Sequence, residues 1–178
     1  MRNVVVYELL SLDGVAEQPE DFILDFDEVM EENLGRVIAS QDAVLLGRHT
    51  YDHWAGFWPG SEIEPFASFI NGVQKFVVTS TALGHRWGGT AVIEGDLVAF
   101  VTELKQQAGG DIGVHGSISL AQALLEAELV DNLRLVVAPA LQMRGRRLFD
   151  RGRPEQLSLT RGVTSPTGHL LLDFELRR

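Results

Sequence analysis

The chain has 178 residues, 45% hydrophobic and 22% charged, which suits one globular domain with a real core. Its formal net charge of -10 argues against nucleic acid as a partner, because binding there needs a basic surface to displace counterions. Cysteine is absent, which excludes disulfides, thiolate metal sites and cysteine nucleophiles and is compatible with a cytoplasmic location.

The segment from Met1 reaches Glu8 after one short apolar run, too short for a signal-peptide core, and no run approaches the length of a membrane span. Val4 to Leu10 reads as a buried strand, broken by Ser11-Leu-Asp-Gly14. From Asp25 a helical period places Phe26, Met30, Leu34, Val37 and Ile38 on one face. Ala43 to Leu46 is a second buried strand, followed by a short helix over Arg48 to Ala55 and a loop over Gly56-Phe-Trp-Pro-Gly60. Pro65 starts a helix with Phe66, Phe69, Ile70 and Val73 as its stripe. Lys75 to Val78 and Thr90 to Ile93 are further strands. Asp96 caps a helix that Gly109 ends.

Ile112 to Val114 is a fifth strand, and Ser117 or Ser119 caps the helix after it. Leu133 to Ala138 is a sixth. Leu157 to Val163 and His169 to Leu176 alternate in polarity around Ser165-Pro-Thr-Gly168, which predicts an antiparallel hairpin with one solvated face. Strands alternating with helices imply a central, mostly parallel mixed sheet flanked by helices in one domain over residues 1–178.

Two strand-to-helix turns stand out, at Gly47 and Gly116. A strand that ends in a glycine turn and opens a helix presents backbone N–H groups to a phosphate. Gly47 allows a tight turn and close approach of a ligand, Arg48 can pair with phosphate through its planar fork, and Thr50 can donate a hydroxyl. Gly113, His115, Gly116, Ser117 and Ile118 make the second turn, with the Ser117 N–H and hydroxyl where a diphosphate would lie. The same residues also read as ordinary turn chemistry with a solvated Arg and a half-buried His. In open α/β sheets ligands bind beyond the carboxyl ends of the strands, where the Gly47, Thr79 and Gly116 turns all fall. His49 and His53 stand at a metal-ligand spacing, but no third ligand is evident, and no metal site is expected. No Gly-x-Ser-x-Gly elbow exists for a serine nucleophile.

Leu45-Leu-Gly-Arg-His-Thr-Tyr51 resembles the dinucleotide-binding segment of dihydrofolate reductases. Ser11-Leu-Asp-Gly14, Val78-Thr-Ser-Thr81, Gly113-Val-His-Gly-Ser117, Leu129-Val-Asp131 and Gly145-Arg-Arg-Leu-Phe149 together resemble a bacterial branch of that fold. The branch includes the C-terminal reductase domain of riboflavin biosynthesis proteins. The resemblance implies a dihydrofolate reductase-like α/β fold, NADPH as cofactor, a pterin-like or pyrimidine-like small-molecule substrate and a homodimer.

Thr79, Ser80 and Thr81 follow a strand and could bind the 2′-phosphate or the adenine-side ribose of that cofactor, although Ser and Thr are common turn formers after a strand. Asp13 is the preferred acid, to hold a ring or relay a proton, against a plain turn-forming role before Gly14. Asp25 is the rival substrate-binding acid; Asp25 or Asp27 also suits the first turn of a helix. Trp54, Phe57 and Trp58 could wall a flat heterocycle, or equally belong to the core or a dimer contact. Val15 and Ala16 stand where the riboflavin branch often has a lysine, which argues against a phosphorylated ribityl substrate. The alternatives are the specific 5-amino-6-(5-phosphoribosylamino)uracil reductase of riboflavin synthesis and a non-catalytic dimeric nucleotide-binding module.

Overall fold

The computed structural model describes residues 1–177. Eight strands form one sheet: β1 (Val4–Leu10), β2 (Gln41–Gly47), β3 (Gln74–Val78), β4 (Thr90–Val92), β5 (Asp111–His115), β6 (Asn132–Val137), β7 (Leu157–Thr164) and β8 (Leu170–Leu176). Their spatial order is β4-β3-β2-β5-β1-β6-β8-β7. The pairings from β4 across to β6 are parallel, and β8 joins β6 and β7 antiparallel. This is the mostly parallel mixed sheet expected, with the antiparallel hairpin at its C-terminal end.

Apolar runs without polar alternation need cover on both faces, and helices supply it. On one face α4 (Leu97–Gln106) and α5 (Ile118–Glu126) press Val101, Leu104, Ala121 and Leu124 onto Val4, Val6, Leu45 and Val114. On the other, α1 (Glu28–Ile38), α2 (Arg48–Phe57) and α3 (Phe66–Gly72) press Met30, Leu34, Val37, Tyr51 and Ile70 onto Val5, Tyr7, Val44 and Leu46. Alternate residues of β1 thus serve two separate cores.

Some boundaries differ from the sequence expectation. α1 begins at Glu28, and Phe26 lies before it, partly exposed. Asp27 is the cap: its carboxylate accepts the Met30 N–H at 3.0 Å and the Thr167 hydroxyl at 2.6 Å, tying the helix to the β7–β8 turn. α2 runs through Gly56 to Phe57, and Trp58–Gly60 is a 3-10 turn rather than irregular loop. Trp54 and Trp58 stack edge-on against Phe66, with centroids 5.5 and 4.8 Å away, which anchors that last turn.

On β7 the apolar residues Leu157 and Leu159 lie beside Leu176 and Phe174 on the α4/α5 side of the sheet and remain exposed, contrary to the expected solvated polar face. A register shift between Leu159 and Arg161 explains this, since one extra residue reverses the alternation. Lys75 at the start of β3 is fully buried. Its ammonium donates to the Ile70 and Val73 carbonyls at the end of α3, each at 2.8 Å, and lies 4.7 Å from the Trp87 ring. It therefore closes the C-terminus of α3 and sits over an aromatic face.

Replacing Asp27 by Ala removes the α1 cap and its link to Thr167. A loss of about 1 to 2 kcal/mol in unfolding free energy is expected by urea denaturation; an unchanged midpoint would show that the cap is dispensable.

Candidate active site

Because β3, β2, β5 and β1 are parallel neighbours, their carboxyl ends open on one edge of the sheet. The turns after β2, β3 and β5 are knitted together there. The Gly47 N–H donates to the Ser117 hydroxyl at 3.0 Å, joining the two glycine turns. Arg48 opens α2 and reaches across to the residues after β3. Its Nη1 donates to the Thr81 hydroxyl at 2.7 Å, the Ala82 carbonyl at 2.9 Å and the Thr79 hydroxyl at 3.3 Å, while its Nε pairs with Asp52 at 2.6 Å. The Thr50 hydroxyl stands 3.5 Å from the Gly116 carbonyl. Ser80 is exposed beside them.

The individual residues divide sharply. Gly116 is exposed with φ +65°, a conformation favouring glycine, and an added β-carbon would press the Trp54 ring at 3.4 Å. Ile118 is buried in the first turn of α5. Gly47 has an ordinary φ of -74°, and its nearest contact for an added β-carbon is Ser117 at 3.7 Å, so the chain direction itself does not demand glycine. Ser117 does not cap α5 through its side chain; its oxygen is spent on Gly47 and it is buried.

Two expected cofactor residues face elsewhere. Strand parity turns His115 into the core, 2% exposed, where its Nε2 lies 2.8 Å from Gln41 Oε1 among Tyr7, Phe66 and Phe69. Burial pulls the imidazole down to about 3, so it is neutral. A β-carbon on Gly113 would fall 2.1 Å from that Gln41 oxygen, so this glycine makes room for the Gln41–His115 pair and not for a ligand.

Asp13 is engaged on both carboxylate oxygens. Its Oδ1 accepts the Gln142 N–H at 2.9 Å and the Ser11 hydroxyl at 2.8 Å, and its Oδ2 accepts the Met143 N–H at 3.0 Å with Arg147 at 3.4 Å. The Gln142 N–H and the Ser11 hydroxyl, with the Met143 N–H, hold the carboxyl down to about 2. It clamps the loop after β6 onto the loop after β1. Asp25 lies outside α1, exposed, in the segment that also exposes Leu24. Trp54 packs between α2 and the Gly116 turn. Trp58 is half-buried behind it against Phe57 and Phe66, with its indole N–H buried and unpartnered.

Sequence reasoning overlooked Glu8 and Arg146. Glu8 is a buried acid on β1, pushed up to about 8 by burial and held back by the Gly116 N–H. Its signal was an acid on the same alternation as Val4, Val6 and Leu10. Arg146 reaches the first turn of α5, donating to the Ser119 hydroxyl at 2.7 Å.

A cavity of about 610 Å³ lies away from this edge between Leu125, Leu133, Phe149, Arg153, Leu157 and Leu176. Among the described residues no group of three metal-ligating side chains converges, and no helix is long and apolar enough to cross a membrane.

This sheet order, with helices on both faces and a C-terminal antiparallel hairpin, is the dihydrofolate reductase-like fold. Dihydrofolate reductase from Enterococcus faecalis, solved with NADP(H), superposes with a TM-score of 0.61 at 12% identity, covering 99% of this chain and 97% of that one. A pyrimidine reductase-like protein from Corynebacterium diphtheriae superposes at 0.70 with 14% identity, covering 99% and 92%. In sequence the chain is 26% identical over 157 residues to the uncharacterized protein YyaP of Bacillus subtilis (strain 168), covering 83% of this chain and 80% of that one. The sequence matches the RibD C-terminal domain over residues 2–171, and the chain belongs to that family.

Asp13→Asn should loosen the loop over Gln142 and Met143 without moving any pH midpoint of turnover between about pH 5 and pH 8. Limited proteolysis should cut that loop faster. A turnover midpoint displaced in that range would show Asp13 to be a proton relay.

Proposed function

We propose that the protein is an NADPH-dependent reductase acting on a pterin-like or pyrimidine-like small molecule, working as a cytoplasmic homodimer. The observation that carries the proposal is the single edge formed by the Gly47, Thr79–Thr81 and Gly116 turns, stitched by Gly47 to Ser117 and by Arg48 to Thr81. An extended, multiply phosphorylated cofactor fits such an edge, because exposed backbone at Gly116 admits close approach and the first turn of α5 offers unpaired N–H groups. Family membership and the fold shared with a dihydrofolate reductase solved with NADP(H) support the same cofactor.

Gly116, Ser117 and the α5 N-terminus would hold the diphosphate, with Arg146 at its outer side. Arg48 and Thr79 to Thr81 would hold the adenosine end. Bound there, the cofactor would supply hydride chemistry at nicotinamide C4 toward a polarised double bond, with a proton supplied to its heteroatom. The protein's share is orientation: Trp54 fixes the Gly116 turn, and the Asp13 clamp shapes the loop on the far side of β1. The proton is drawn from a group other than Asp13. Exposed Leu157 and Leu159, with half-exposed Phe149, support a second copy as partner.

The phosphorylated pyrimidine of riboflavin synthesis is the second reading, favoured by the family. Against it, Val15 and Ala16 are buried where a phosphate-binding lysine would be needed.

Quenching of Trp54 fluorescence should report NADPH binding. Gly116→Asp puts a carboxylate on the phosphate side of the turn and should weaken binding at least about a hundredfold, while the fold survives because Asp tolerates the left-handed conformation. Equal affinity in this variant would remove the turn from the site, and no binding of NADPH or NADH at millimolar concentration would overturn the cofactor assignment.

A further inference from the structure

Glu8 interrupts an apolar strand on the face that carries Val4, Val6 and Leu10. It is 3% exposed. On one side it pairs with Leu135 of β6. On the other, Tyr7 pairs with His115, which sets Glu8 beside Gly116. The carboxyl thus lies against the Gly116 backbone, whose N–H favours the charged form, and Oε1 has no hydrogen-bond partner.

Among the described residues the surroundings offer no counter-ion. α5 covers this face with Ile118, Ala121 and Leu124, and its ionisable residue, Glu126, is exposed in the last turn. β6 contributes Leu135. Tyr7 and His115 project from the opposite face; the tyrosine is raised by burial and by Glu8, and the histidine is neutral. Arg146 touches α5 from outside at Ser119, and Arg147 is occupied by Asp13.

The Gly116 turn therefore has a buried carboxyl beside it on one side and solvent, where the diphosphate is proposed, on the other. We infer that Glu8 is a positioning residue whose protonation frees the Gly116 turn to bind a dinucleotide diphosphate, so that cofactor binding and proton uptake at Glu8 are coupled. The inference rests on the dinucleotide assignment made above.

Burial pushes the carboxyl up to about 8, which places the coupling near neutral pH. The sign follows from linkage. Below that pH Glu8 is neutral and the amide is available. Above it the carboxylate draws the Gly116 N–H inward and places a negative charge behind an anionic ligand, so affinity falls. By reciprocity the bound diphosphate raises the carboxyl further, and NADPH binding near pH 8 takes up a proton from solution.

The test is the affinity for NADPH, by tryptophan quenching, from about pH 7 to pH 9.5, where the 2′-phosphate is already fully ionised. Wild type should lose about tenfold in affinity across the range, as a rise of one pH unit in the carboxyl midpoint requires. Glu8→Gln should show a flat profile. Lys75, lowered to about 8 by burial, titrates in the same range but sits under α3, and it remains in the variant as an internal control. Should Glu8→Gln fold poorly, Glu8→Met is the second uncharged variant, and calorimetry of wild type in buffers of different ionisation enthalpy reads proton uptake without any substitution. NADPH binding with a flat wild-type profile, with the same slope in Glu8→Gln, or without proton uptake overturns the coupling and leaves the cofactor assignment standing. No NADPH binding at any pH overturns both.

Discussion

Parallel pairing is the constraint on which the rest depends. Neighbouring parallel strands need a crossover, carried here by helices except between β3 and β4, where a helix-free loop does it, so every parallel strand ends on the same edge. β1 lies between β5 and β6, and its loop therefore divides that edge. On one side the turns after β2, β3 and β5 are joined by Gly47, Arg48 and Ser117. On the other, the loop after β6 is fastened to the loop after β1 by Asp13 and Arg147. The site is a seam between two locally braced halves.

Two acids beside this seam are driven in opposite directions by their surroundings. Asp13 sits among backbone N–H groups and stays ionised. Glu8 sits among aliphatic side chains with one amide for company and is neutral at mildly acid pH. Environments that separate two carboxyls in this way are the usual means by which one fold obtains both a fixed anion and a proton-holding acid.

The strand-and-helix order was legible because its signals are local. Asp96 before Leu97, the apolar stripe of Phe66 and Ile70, and the β-branched run of β1 each lie within one element. The glycine turns were legible for the same reason. Side-chain direction was less so. Parity along β5 puts His115 with Gly113 on the inner face, yet only the cover of Phe66 and Phe69 makes that face dry. The Asp13 clamp had no local signal, since Gln142 and Met143 are 129 and 130 residues away. Lys75 and Glu8 were visible as polar residues in apolar runs, but burial depends on elements far along the chain. Arg146 carried only the weak sign of a basic loop.

The two ends of the sheet differ in how they meet other chains. β4 is three residues long and offers little backbone to a foreign strand. β7 is longer and carries two exposed leucines, which would invite strand addition, but the irregularity between Leu159 and Arg161 breaks its hydrogen-bonding rhythm midway. A neighbour that docked there in register along one half would be out of register along the other. The sheet is thereby kept from growing into a continuous intermolecular ladder, and association at this end must be made by side chains, which can discriminate a partner, and not by backbone, which cannot.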